Sequence, residues 1–349
     1  MKEKKRFAHW SSVKALLFLL VFLGFFCSFS IPMGLDNMLN TMMNTAYGLL
    51  INTAFYLMAV TVMAGAISAV LTEFGVVRLM NKVLSPLMKP LYGLPGAAAL
   101  GVVTTYLSDN PAILTLADDP RYRSCFQKYQ IPALTNIGTA FGMGLVVTTS
   151  VLGLNAVVKD MSGVVLAVIC GNLGAVAGSI LSTRLMLAYT KKKLPNALEP
   201  AEESEPEDPE QQKGTAHRSL FLRLLNAVLN GGKSGVELGL SIIPGVLIIC
   251  TFVLMLTNGP GPEGVYTGAA NEGIGLLPWI GGKLSFLLQP LFGFENAKAI
   301  SVPITALGSA GAALGMVKEL AAAKLADCND LAVFTAMCMC WSGYLSTHV

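Results

Sequence analysis

Residues 84–94 read Leu-Ser-Pro-Leu-Met-Lys-Pro-Leu-Tyr-Gly-Leu, and residues 284–294 read Leu-Ser-Phe-Leu-Leu-Gln-Pro-Leu-Phe-Gly-Phe. Six of the eleven positions are identical at a fixed offset of 200 residues, and most of the others exchange one apolar side chain for another. A self-match at fixed spacing means two copies of one structural unit, so any fold for the chain has to accommodate both. In a strongly apolar chain, duplicated units are a recurring plan of secondary transporters.

The chain is apolar enough for that plan. It is 53% hydrophobic and 13% charged, where an ordinary globular domain carries about 25% charge. Apolar runs long enough to cross the hydrocarbon core occur at about 14–34, 46–72, 131–154, 162–189, 236–257 and 330–348, giving six expected spans. The basic N-terminus and first run resemble a signal peptide, but no small-residue cleavage site follows, so an uncleaved first helix is expected. The seven cysteines are scattered without a Cys-x-x-Cys pair and read as small apolar packing residues.

Charge then sets the topology. Lys2, Lys4, Lys5 and Arg6 put the N-terminus inside; Arg78, Lys82 and Lys89, then Arg121, Arg123 and Lys128, are equally basic. The interrupted stretch between the last two clusters satisfies the positive-inside rule only if it enters and leaves on one side. Residues 96–117 are therefore expected to form a re-entrant hairpin with its tip at Ser108-Asp109-Asn110-Pro111. The second copy follows with reversed orientation, dipping in over 297–317 with its tip at Gly308-Ser309-Ala310-Gly311. On this reading Lys159, Lys283, Lys298, Lys318 and Lys324 lie outside, and the other basic residues and both termini are cytoplasmic.

The expected fold is an all-α polytopic membrane protein with inverted-topology repeats, each holding an interfacial amphipathic helix and a re-entrant helical hairpin. Its units are an N-terminal helix (1–40), a first repeat (41–194), an acidic, Pro-rich disordered linker (195–218) and a second repeat (219–349). A multi-pass protein of the bacterial inner membrane is expected, with the bilayer as its surroundings and no nucleic acid partner.

Irregular backbone at membrane depth is tolerated only where protein or a watery cavity satisfies it. Two tips meeting from opposite sides would enclose such a cavity. Asp109 is the acidic residue set deepest in apolar sequence, with Ser108 and Asn110 beside it, and an ionisable group there is a candidate for substrate or cation binding. It also suits the plainer task of capping the second arm. Thr135, Asn136 and Thr139 would suit a helix unwound near its middle, while Gly138 and Gly142 equally suit close helix packing. Ser309 and Ser342 are the corresponding polar positions of the second copy. Gly231-Gly232-Lys233-Ser234 lacks the first glycine and the strand of a phosphate-binding loop, and no nucleophile–base pair or metal-ligand set stands out, so an enzyme is not expected.

The helix, Pro-Leu-aromatic-Gly stretch and small-residue hairpin of each copy resemble the nucleoside-recognition, or Gate, domain of membrane proteins. Related repeats are found in concentrative nucleoside transporters, bacterial ferrous-iron transporters and spore-maturation membrane proteins. The resemblance implies a transport core of two hairpins and two broken helices around a small polar solute, moved with a coupling Na⁺ or H⁺. It equally permits a non-transporting protein that assembles with a second copy or a second Gate-type membrane protein. The second tip departs from the nucleoside transporters in having neither acid nor amide, so a solute smaller than a nucleoside is as well served.

Overall fold

The computed structural model describes residues 2–109, 112–194, 219–261 and 263–340, with side chains from residue 13 onward. The described residues are helical, without a strand. The first helix, α1 (Lys2–Met33), ends at Gly34, whose φ of 80° suits glycine alone, and α2 (Leu35–Leu49) follows at once. A π-helical turn, Leu50–Ala54, joins α2 to α3 (Phe55–Glu73). Next come α4 (Val76–Tyr92), α5 (Ala98–Leu107), α6 (Ala112–Asp118) and α7 (Pro120–Ser124). They lead to α8 (Ile131–Phe141), α9 (Gly144–Gly153), α10 (Asn155–Val158) and the long α11 (Met161–Lys193).

After residue 218 the chain forms α12 (Leu220–Gly245), a second π-helical turn (Val246–Cys250) and α13 (Thr251–Thr257). A loop leads to α14 (Leu276–Lys283) and α15 (Ser285–Phe292). A 3₁₀ turn, Ala297–Ile300, opens α16 (Ser301–Gly308), which is followed by α17 (Ala310–Ala322) and α18 (Cys328–Cys340).

Five helical runs are long and apolar enough to cross a bilayer: Val13–Met33, Leu35–Glu73, Ile131–Val158, Met161–Lys193 and Leu220–Thr257. They cover five of the six expected spans. The sixth begins as α18, and its remainder, 341–349, lies outside the described residues.

Two spans run well beyond their apolar cores because polar side chains extend them. Along α2, Asn37 Nδ2 donates to the Tyr266 carbonyl (3.1 Å) and Asn44 Nδ2 to that of Gly268 (2.9 Å), while Thr45 Oγ1 accepts from the Asn271 amide (2.8 Å). At the start of α12, Arg223 Nε pairs with Glu73 Oε1 at 2.7 Å.

The loop that receives α2 is itself held by Glu272, which is 4% exposed. Its carboxylate accepts from Thr267 Oγ1 (2.6 Å), the Thr267 amide (3.0 Å) and the Gly268 amide (3.0 Å). Burial works against the charge, but these donors together outweigh it and hold the carboxyl below the ordinary glutamate range.

The helices α3 and α12 pack antiparallel along their length. Gly231, Gly235 and Gly239 recur every fourth residue, lining one face of α12. A Cβ at Gly65 or Gly231 would collide with the other's carbonyl, and one at Gly235 with the carbonyl of Thr61. The backbones therefore meet with nothing between them, the close approach that small residues permit where lipid removes any hydrophobic drive between helices. The two π-helical turns lie against each other at the end of this pair. A second seam joins α11 to α18, where Cβ atoms on Gly174 and Gly178 would meet Ala336 (3.2 Å) and Cys340 (3.0 Å).

The amphipathic stretch is one helix in the first copy but two in the second. The chain kinks at Leu284 (φ −94°, ψ 5°), just after Gly281 and Gly282, whose freedom weakens a helix. Gly281 is needed there because its Cβ would press on the Ala297 carbonyl (2.6 Å).

Candidate functional site

Two serines mark the breaks expected at the hairpin tips. Ser108 (φ −126°, ψ −122°) ends α5, and Ser309 (φ −164°, ψ 130°) ends α16; in each case the helices on either side pack on one another. Ser108 is exposed and Asp109 half-buried. The Asp109 carbonyl accepts from the Ala112 amide at 3.0 Å, turning the chain into α6. Asn110 and Pro111 lie outside the described residues, as does Ser342.

The helix expected to unwind near Asn136 does not do so there. Residues 131–141 form regular helix, with Thr135 Oγ1 donating to the Pro132 carbonyl (2.7 Å) and Thr139 Oγ1 to that of Thr135 (3.0 Å). Both hydroxyls thus turn back on their own helix, as Ser and Thr commonly do. The interruption falls later, at Gly142 (ψ 132°) and Met143, whose φ of 57° is left-handed. Just beyond the break Tyr106 packs on the chain, and its ring leaves no room for a Cβ on Gly144. Since α8 packs against both α5 and α6, Thr135, Asn136 and Thr139 stand on the helix that covers the first break.

Ser309 belongs to other surroundings. Its Oγ caps α17 by accepting from the Ala312 amide (3.3 Å), and it sits on Gly245, where a Cβ would come within 2.8 Å of the hydroxyl. Cys250 Sγ donates to the Ala312 carbonyl at 3.0 Å. The second break therefore rests on the second π-helical turn. Farther along α17, Glu319 Oε1 accepts from Thr53 Oγ1 (2.9 Å), and the Lys318 ammonium donates to the Asn52 carbonyl while lying 4.2 Å from the Tyr56 ring centroid. These two charged residues meet the first π-helical turn, where i→i+5 bonding leaves backbone groups in need of partners. The helix α9 packs against both α5 and α17 and so bridges the two regions.

Beside the first break lies a polar cluster that sequence reasoning missed. Tyr106 Oη donates to Asn172 Oδ1 (3.1 Å) and lies 3.1 Å from Thr148 Oγ1, to which Asn172 Nδ2 also donates (3.1 Å). This triangle lies by a cleft of about 330 Å³ lined by Tyr106, Phe141, Val168, Asn172, Leu173 and Val176. The phenol, hydroxyl and amide satisfy one another within an apolar wall, and of the three Tyr106 and Asn172 border the cleft. No group of three His, Cys, Asp or Glu among the described residues could hold a metal ion. Gly231–Ser234, the sequence reminiscent of a phosphate loop, lies within α12.

No protein-family model, curated protein or solved structure matches this chain.

Proposed function

We propose that this chain is a secondary transporter for a small polar solute, built from two inverted units that each carry a re-entrant hairpin. One observation carries the reading: local structure recurs at the 200-residue offset well beyond the sequence match. Gly75 (φ 76°) and Gly275 (φ 65°) both precede a helix in the left-handed conformation, and Gly93 (φ 73°) and Gly293 (φ 75°) both follow one. Thr105 Oγ1 donates to the Gly101 carbonyl at 2.7 Å, and Thr305 Oγ1 to that of Ser301 at 2.7 Å, both buried. Paired broken helices built this way supply freed backbone groups to a solute at mid-membrane, and rocking of one unit against the other exposes the site to each side in turn. Asp109 serves as the proton acceptor or Na⁺ ligand, with Ser108, Thr135, Asn136 and Thr139 about the first break and Ser309 at the second. Tyr106, Thr148 and Asn172 join them.

The test is uptake by proteoliposomes under an imposed H⁺ or Na⁺ gradient. Gradient-driven uptake that Asp109→Asn abolishes supports the assignment. Uptake by that variant equal to wild type removes Asp109 from coupling, and no uptake of any small polar solute sinks the transport reading.

A second reading, a non-transporting protein assembled with a second Gate-type partner, has one observation in its favour. Residues 15–24 of α1 are all exposed and apolar, offering a seam to another membrane protein. Co-purification of such a protein with the wild type, lost when that seam is replaced by polyleucine, would favour it.

A further inference from the structure

Asp330 is 4% exposed, and the two oxygens of its carboxyl group are treated differently. Oδ2 accepts from the Asp327 amide (3.2 Å) while Asp327 Oδ1 accepts from the Asp330 amide (2.8 Å). This reciprocal pair starts α18 in the manner of a capping box. Oδ1 is buried and meets no hydrogen-bond donor. The charges facing it are acidic: Asp327 on its own turn and Glu295 after α15. From the start of α11, Asp160 reaches Cys328 at 3.8 Å, two residues before Asp330. Lys298, the nearby base of the 3₁₀ turn, is spent on Asn258 Oδ1 (3.0 Å), and among the described residues no ion pair reaches Asp330.

The other copy shows what this position requires. Two hundred residues earlier stands Gln130, buried like Asp330, whose Oε1 accepts from the Gln127 amide at 2.9 Å just as Asp330 Oδ2 accepts from that of Asp327. Gln130 also donates, through Nε2, to the Gly93 carbonyl (3.4 Å). In the second copy Asn329 takes over that duty, donating to the Phe292 carbonyl (3.1 Å) and leaving Asp330 Oδ1 without a partner. A neutral amide therefore fills the position in one copy and a carboxyl group in the other. A buried carboxylate facing further acids and no base is unfavourable, and protonation is the ordinary way out.

We propose that Asp330 is a proton-binding site: it carries a proton in this conformation, as a neutral counterpart of Gln130, and releases it to water when α18 and the Phe292–Glu295 segment part. Under the transport reading, on which this purpose rests, Asp330 is a second coupling position beside Asp109, its proton moving with the ion that Asp109 binds.

The experiment is infrared spectroscopy of the reconstituted protein at about pH 5 and about pH 8, with melting measured alongside. Wild type is expected to show a protonated-carboxyl stretch that Asp330→Asn removes. A group that holds its proton more tightly when folded contributes most stability at low pH and loses it as pH rises through its folded pKa. Wild-type Tm should therefore fall by about 3 °C across that window and the Asp330→Asn Tm should not. Should Asp330→Asn misfold, Asp330→Gln, which copies Gln130, takes its place. A wild-type spectrum without the band, or one unchanged by both variants, overturns the site. So does a Tm at about pH 8 that Na⁺ or Ca²⁺ raises only when Asp330 is present, which would make it a metal ligand. Neither spectrum nor melting needs a solute, so a proton site without uptake counts against transport alone, and uptake without the band counts against Asp330 alone.

Discussion

Thr61 Oγ1, fully buried, lies 2.8 Å from the carbonyl oxygen of Gly235 across the α3–α12 seam and 2.8 Å from that of Met58 on its own helix, its one hydrogen shared between them. At Gly235 the backbones of the two helices touch. A side chain at Gly235 would meet the carbonyl of Thr61 and the Cα of Val62 (2.5 Å), neither of which can move aside alone. Gly235→Val should cost about 3 kcal/mol by overpacking and loss of the bond. Gly232, where a Cβ would meet only Val62 at 3.7 Å, is the control: Gly232→Ala should stabilise by about 0.5–1 kcal/mol through helix propensity. Unfolding in mixed micelles compares the two, and equal destabilisation would refute a backbone-tight seam.

The Tyr106–Thr148–Asn172 triangle separates stability from transport. Tyr106→Phe should cost about 1 kcal/mol, the usual worth of a hydrogen bond between membrane helices. Asn172→Leu keeps the volume of the wall but removes its amide, and under the transport reading uptake should fall at least about tenfold, the effect of some 1.4 kcal/mol. Uptake unchanged in Asn172→Leu, with the protein folded, would leave the triangle as a structural tie.

Glu272 gives the loop between α13 and α14 a pH limit. Its folded pKa lies below its ordinary value, so its contribution is present above the unfolded pKa and is lost as pH falls through the folded one. Amide protection in residues 258–261 and 263–275 should therefore be lost only as pH falls below the ordinary glutamate range. Glu272→Gln should show the faster exchange already at neutral pH, at a cost of about 2 kcal/mol for charge-assisted bonds. An acid response identical in both proteins would assign the loop's order to other contacts.

Lys318→Met removes the donor that the Asn52 carbonyl receives. The expected outcome is faster amide exchange confined to residues 50–56, with a stability loss of about 1–3 kcal/mol for a carbonyl left unpaired. Exchange unchanged there would show that the turn satisfies its own backbone.

What the sequence made legible was what repeats or accumulates. The apolar runs gave five of the described spans, and the match at residues 84 and 284 takes in the two glycines that close α4 and α15. The serines at both breaks were also in view. Asn172 was not, because its partners Tyr106 and Thr148 lie 66 and 24 residues away, and one amide in an apolar helix carries no local signal. The break at Gly142 was misplaced toward Asn136 for a related reason. Polar residues in a span draw attention, but here the helix parts at Gly142 and Met143, beside Gly144, where the Tyr106 ring lies against the backbone. The π-helical turns, Leu50–Ala54 and Val246–Cys250, have compositions no different from the helices they interrupt.

Those two turns carry one more consequence. A π-helical turn holds one residue more than the helix around it needs, and a single extra residue rotates everything beyond it by about 100°. The polar face of α2, with Asn37 and Asn44 on the loop, and the face of α3 that meets the glycines of α12 are therefore out of phase. Deleting any one residue from Leu50–Ala54 would restore a continuous α-helix and turn one of those faces away from its partner. The span thus carries two angular addresses, and the extra residue keeps both valid at once.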